Sequence, residues 1–215
     1  MYTPKSFESE LLIQFKDEDI FLNALEDGGP EDLKIDLSYE ELVVNLYVDS
    51  EDYILKKNNF SLALRPLPDK KVGSILKYNI SEFKEHVIRA EIAELMNTGC
   101  KYSKVISDTL QSKLNCCTDN LIPTLISKQK RTHKKSNRLS PTLYFSFDKV
   151  TFNNLRNGSE ITLFLMEVET TGNNIGNIYS TEMFTALEYY KKKYDAIKVF
   201  PSSKYIIGLE QTLRK

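Results

Sequence analysis

The sequence predicts an α+β fold in which eight antiparallel strands close into a barrel flanked by helices. Short stretches alternating apolar and polar residues with period two recur along most of the chain. They follow one another as a meander, with few helical stretches between them. The strand charges also sort by type, with acids on the first and penultimate strand candidates and bases on those between. Barrel closure makes the terminal strands neighbours and so draws the acids together.

Residues 7–15, FESELLIQF, set Phe7, Ser9, Leu11, Ile13 and Phe15 against Glu8, Glu10, Leu12 and Gln14. Successive side chains of a strand point to opposite faces, so Glu8 and Glu10 share one face. Residues 17–25 are expected to form a short helix, and EDGGPED (26–32) a loop. ELVVNLYV (41–48) reads as a strand, and DSEDYILKKNNF as a short helix ending in a turn at Asn58 and Asn59. SLALRPL (61–67), SILKYNI (74–80) and HVIRAE (86–91) are further strands. A helical insertion at about 92–114 follows, interrupted at Gly99. NLIPTLISKQKR, PTLYFSFDKVTF and EITLFLMEVET resume the strands, with 132–141 between them read as a basic hairpin loop. TEMFTALEYYKKKY places Met183, Ala186, Leu187 and Tyr190 at helical spacing behind a Thr181 cap, a C-terminal helix at about 181–193. The tail, AIKVFPSSKYIIGLEQTLRK, is ambiguous. A single domain is expected to span residues 1–215.

Composition narrows the function. Of 215 residues, 41% are hydrophobic and 27% charged, as in an ordinary globular protein. Lys plus Arg number 29 against 30 Asp plus Glu, a net charge of −1 that argues against a DNA-binding or membrane-surface protein. Any polyanion site must therefore be local. The cysteines, Cys100, Cys116 and Cys117, suit reduced thiols in the cytoplasm better than a disulfide framework. With only His86 and His133 and no CxxC spacing, a zinc site is not expected; both histidines are expected at the surface. The N-terminus lacks a signal segment, and no run approaches a membrane span.

FLMEVET (164–170) repeats the pattern of the first strand, with Glu167 and Glu169 on one face and Phe164, Met166 and Val168 on the other. Lys128 and Lys130 share a face of LISKQKR, Arg89 and Glu91 a face of VIRAE, and Arg65, Lys77 and Asp148 add charges to other strands. A solvated sheet face accounts for any one pair. Together, four carboxylates opposite a basic wall suit a hard divalent cation and phosphate oxygens, a metal–polyphosphate site. The usual Gly-rich phosphate loops are absent from the sequence.

The order of these motifs resembles the CYTH superfamily, the triphosphate tunnel metalloenzymes. The family's opening ExExK is matched by ESELL, its RxR strand by SLALR, the next basic strand by ILK, a later one by SKQKR, and the late ExE by MEVE. The resemblance implies an eight-stranded tunnel and a metal-dependent phosphohydrolase acting on tripolyphosphate, a nucleoside triphosphate or a similar molecule. Nucleotide cyclisation, polyphosphate synthesis, or binding with weakened catalysis are its alternatives. It implies catalytic roles for Glu8, Glu10 and Lys77, and phosphate binding by Arg65, Lys77, Arg89, Lys128, Lys130, Arg131 and Lys204. Lys204 follows from a likeness of SSKYIIG to polyphosphate-polymerase-like relatives. Mg²⁺ or Mn²⁺ is expected on Glu8, Glu10, Asp148, Glu167 and Glu169. The expected partner is a small triphosphate or polyphosphate, with an RNA 5′ end less favoured and a homodimer left open. Two positions depart from the pattern: Leu12 replaces the lysine of ExExK, and Ala63 the first arginine of RxR. Lys16 shares the strand parity of Glu10 and is a candidate substitute for that lysine.

Overall fold

The computed structural model describes residues 6–31, 33, 35–67, 71–83, 85–96, 102–136, 142–172, 181–194 and 197–214. Its strands are β1 (Ser6–Phe15), β2 (Ile35–Asp49), β3 (Phe60–Pro66), β4 (Val72–Glu82), β5 (Val87–Leu95), β6 (Ile122–Ser136), β7 (Tyr144–Asn154), β8 (Glu160–Gly172) and β9 (Lys198–Phe200). Its helices are α1 (Glu18–Glu26), α2 (Ile54–Lys57), α3 (Lys104–Leu114), α4 (Thr181–Lys193) and α5 (Lys204–Leu213). The sheet order is β5-β4-β3-β2-β6-β7-β8-β1-β9, and β5 also pairs with β1, so β1–β8 form the closed eight-stranded antiparallel barrel. β1 divides its free edge: Ser6–Glu10 pair with β5, and Leu12–Gln14 pair with β9.

Strand parity assigns the faces. On β1, Leu11, Ile13 and Phe15 point outward and pack with Phe145, Phe147, Met166 and Val168 beneath α1 and α4. Asp17 caps α1 by accepting from Ile20 N at 3.0 Å. On the other side of the barrel, Leu62, Leu76, Ala90 and Ile92 pack beneath α3 through Ile106 and Leu110.

The stretch expected to be helical from about 92 is different. Ile92–Leu95 prolong β5, pairing with Gly73–Leu76 of β4. The helix starts at Lys104, where the Ser103 side chain accepts from Ile106 N. Ile92 packs under α3 while Ala93 is exposed, an alternation that serves a strand as well as a helix turn. The basic hairpin loop also shortens, because β6 runs to Ser136 and takes in His133; residues 137–141 lie outside the described residues. The ambiguous tail resolves into β9 and α5.

α5 closes one end of the barrel. Tyr205, Ile206, Ile207 and Leu209 pack on Leu12, Tyr47, Ala63, Leu125, Val150, Phe152, Leu163 and Leu165. A Cβ at Gly208 would lie 2.4 Å from Phe152 Cδ1, so only glycine lets the helix sit this close. Ser203 caps the helix by accepting from Ile206 N. The Tyr205 hydroxyl donates at 2.8 Å to Asp49, whose carboxylate also accepts from the backbone N–H groups of Ser50, Leu55 and Lys56. One buried carboxylate thus ties the start of α2 to the plug. No helix among the described residues is long and apolar enough to cross a membrane.

Candidate active site

The barrel interior has two zones. Beneath α5 it is apolar; above α5 it is charged and encloses a cavity of about 440 Å³. Glu8, Arg65, Lys77, Arg89, Glu91, Arg131, Glu167, Glu169 and Lys204 line the cavity together with Asn45, Gln129 and Tyr205. Ala93 and Thr171, at the end away from α5, are exposed and mark the mouth.

The two glutamate pairs meet as strand parity implies. β1 and β8 pair in register, with Glu10 opposite Glu169 and Leu12 opposite Glu167. Glu8, Glu10 and Glu169 each bring a carboxylate oxygen within 4.8 Å of the other two. Burial and mutual repulsion favour their protonated forms. Burial raises Glu10 to about 7 against the pull of Arg89, with Glu167 adding to the rise. Burial, then Glu8 and Glu167, raise Glu169 to about 8. Glu8 is raised by burial despite Lys77. Glu10 Oε2 is buried without a hydrogen-bond partner. Three convergent carboxylates, one with an orphaned oxygen, are the donor set a hard divalent cation takes.

Glu167 and Asp148, expected beside the other acids, sit instead among bases. Arg131 donates to both Asp148 oxygens at 2.7 and 3.0 Å, and Lys204 Nζ lies 2.7 Å from Asp148 Oδ2 and 2.5 Å from Glu167 Oε2. Burial alone would raise Glu167, but Lys204, then Lys77 and Arg131, hold it well below the usual carboxylate range. The other bases are paired too: Lys77 with Glu8 at 2.6 Å and Glu91 at 3.3 Å, Arg89 with Glu10 at 2.9 Å, and Arg65 Nε with Asn45 Oδ1 at 2.9 Å.

Lys128 and Lys130 lie elsewhere. Both are exposed on the outer face of β6, while Gln129 and Arg131 point into the cavity. A basic run on a strand cannot place neighbouring residues on one face, so matching SKQKR as a block mixed the two faces. Lys16 lies past the end of β1 and is exposed. Leu12 is buried against the α5 side of the core. The ammonium group near that level comes from Lys204, bonded to Glu167, the residue opposite Leu12 in register.

Asn45, Gln129 and Tyr205 were not anticipated. Gln129 was findable, since it shares the parity of Arg131. Tyr205 carried no strand signal, because it sits on a helix.

No protein-family model and no curated protein matches the chain. Solved structures do. A putative adenylyl cyclase from Hippeastrum, described as having a dominant triphosphatase activity, is 14% identical; the match covers 95% of this chain and 96% of that one with a TM-score of 0.61. A putative adenylate cyclase from Bacillus halodurans is 13% identical over 95% and 96% of the two chains, TM-score 0.57. A protein from Pyrococcus horikoshii is 17% identical over 95% and 99%, TM-score 0.54. At these identities the likeness establishes a shared fold. That likeness in fold extends over nearly the whole chain.

Proposed function

We propose that the protein is a divalent-metal-dependent phosphohydrolase that takes a triphosphate-containing molecule into the barrel. One observation carries the reading: Glu8 and Glu169 line one cavity with five cationic side chains, and Glu10, the third carboxylate of the trio, stands beside them with an orphaned oxygen. Glu8, Glu10 and Glu169 would hold Mg²⁺ or Mn²⁺, which when bound supplies charge neutralisation and an acidified water. Arg65, Lys77, Arg89, Arg131 and Lys204 would bind the phosphate oxygens, Arg65 through a planar fork suited to bidentate contact. Asp148 orients Arg131 by its two-point bond, and Glu167 orients Lys204. α5 keeps water out from below, so charge on the transferring phosphoryl group meets fixed dipoles and cations. The activity described for the Hippeastrum protein supports the same reading.

The substrate class is a small triphosphate or polyphosphate rather than RNA or DNA, since the fixed cations lie inside the barrel. The free thiols of Cys116 and Cys117 support a cytoplasmic setting. Polymerisation has less support than hydrolysis, because a chain growing through the tunnel needs a second opening and α5 fills that end. A binding-only module is the remaining alternative, and the same assay separates it.

The test is incubation with inorganic tripolyphosphate, and separately with ATP, in Mg²⁺ or Mn²⁺, followed by product analysis. Hydrolysis yields inorganic phosphate, with ADP from ATP. Cyclic AMP, or longer polyphosphate, would move the protein to a different reaction in the same tunnel. Binding without any product would make it a sensor.

A further inference from the structure

At the mouth, the inner face of the long β2–β6 antiparallel pair carries an aromatic pair that the phosphate site does not use. The rings of Tyr39 and His133 stack with centroids 4.2 Å apart at 28°. His133 is fixed from both sides: its Nε2 lies 2.7 Å from Glu41 Oε1, and its Nδ1 is 3.5 Å from Ser146 Oγ. Tyr39 nevertheless remains 54% exposed, and Tyr144, on the inward parity of Ser146 and Asp148, is 40% exposed. Large rings held this exposed on the inner face add little to the core.

Their position relative to the cations is set by strand parity. His133 follows Gln129 and Arg131 along the inner face of β6, about 7 Å of strand beyond Arg131 toward the mouth. Tyr144 lies opposite Glu169 in register. A substrate with its phosphates among Arg131, Lys204 and Lys77 places the group attached to the triphosphate at this level.

We propose that Tyr39, backed by His133, is a stacking platform for the base of a nucleoside triphosphate. The inference rests on the proposed function and adds the identity of the attached group. A planar base gains from an exposed aromatic face that needs no ordering on binding, whereas inorganic tripolyphosphate gains nothing there.

Calorimetric titration of the full-length protein with non-hydrolysable imido analogues of ATP and of tripolyphosphate, both in Mn²⁺, tests this against Tyr39→Ala and Tyr39→Phe. Tyr39→Ala is expected to weaken the ATP analogue about 10-fold and leave the tripolyphosphate analogue unchanged, while Tyr39→Phe keeps wild-type affinity for both. Unchanged unfolding temperatures will show that the exposed site tolerates the substitutions. Equal loss for both ligands, or no loss for either, would overturn the platform while leaving the phosphohydrolase reading standing. Failure of the wild-type protein to bind either ligand would overturn both.

Discussion

Glu169→Gln is expected to make the metal-free protein more stable at pH 8 while lowering metal-dependent phosphate release by about 100-fold or more. The two effects have one origin. Glu169 sits with Glu8 and Glu10, and its folded pKa of about 8 lies well above the ordinary value of 4.5. Between pH 4.5 and about 8 the folded state therefore holds a proton that the unfolded state has released. Stability falls with rising pH wherever the native state binds the extra proton. Gln, carrying no charge, removes that penalty, so the gain in unfolding temperature should be small at pH 5 and largest at pH 8 and above. Mn²⁺ should raise the unfolding temperature of the wild-type protein and do so little in the variant. An equal Mn²⁺ response in both would contradict the assignment of Glu169 to the ion.

Lys204→Met is expected to act in the opposite sense, costing stability as well as affinity. The ammonium is buried against Asp148 and Glu167, and its removal leaves both carboxylates with Arg131 alone. Breaking one side of a buried ion pair typically costs about 3 kcal/mol or more. Glu167 is held below the usual range by its cations, so it contributes stability above pH 4.5 that is lost on acidification. The variant should lose much of that acid-side dependence. Adding Glu167→Gln should recover most of the stability, because the stranded charge is gone, but not the binding of tripolyphosphate, which still lacks a cation. Denaturant unfolding and calorimetry over this double-mutant cycle separate the two roles. Recovery of binding along with stability would mean that Lys204 only props up the acids.

These residues also show how far the sequence could be read. Glu8 with Glu10, and Glu167 with Glu169, were legible because a strand has one unambiguous parity, and their meeting followed from barrel closure. Lys128 and Lys130 share a face, as their parity requires, but it is the outer one, because Gln129 and Arg131 of the same motif take the inner face. Ile92–Leu95 suit a helix in the sequence and form strand in the fold, because apolar spacing over four residues fits either period. α5 was ambiguous in the sequence, since seven of its ten residues are buried and the short apolar run YIIGL, broken by Gly208, fits a buried strand as well as a helix. That explains Leu12. From the sequence it is a lysine missing from a motif; in the fold it is part of the apolar seat of the helix that brings Lys204 into the tunnel. Asp49 was hidden for another reason, as its donors come from residues 50, 55, 56 and 205 and no local pattern joins them.

The ion pairs of the free tunnel give the most direct test of its role. Glu8 holds Lys77 and Glu10 holds Arg89, so each acid occupies a base that phosphate would use. An ion that takes the acids frees the bases, and phosphate that takes the bases frees the acids. Metal and triphosphate should therefore bind with positive, reciprocal coupling. The decisive measurement is the affinity for a non-hydrolysable imido analogue of tripolyphosphate, by calorimetry, with and without Mn²⁺, and for Mn²⁺ with and without that analogue, each corrected for binding of the ion to the ligand in solution. The expected result is that each strengthens the other by the same factor, about 10-fold or more. Affinities that do not depend on the second ligand would contradict a shared metal–triphosphate site in the barrel.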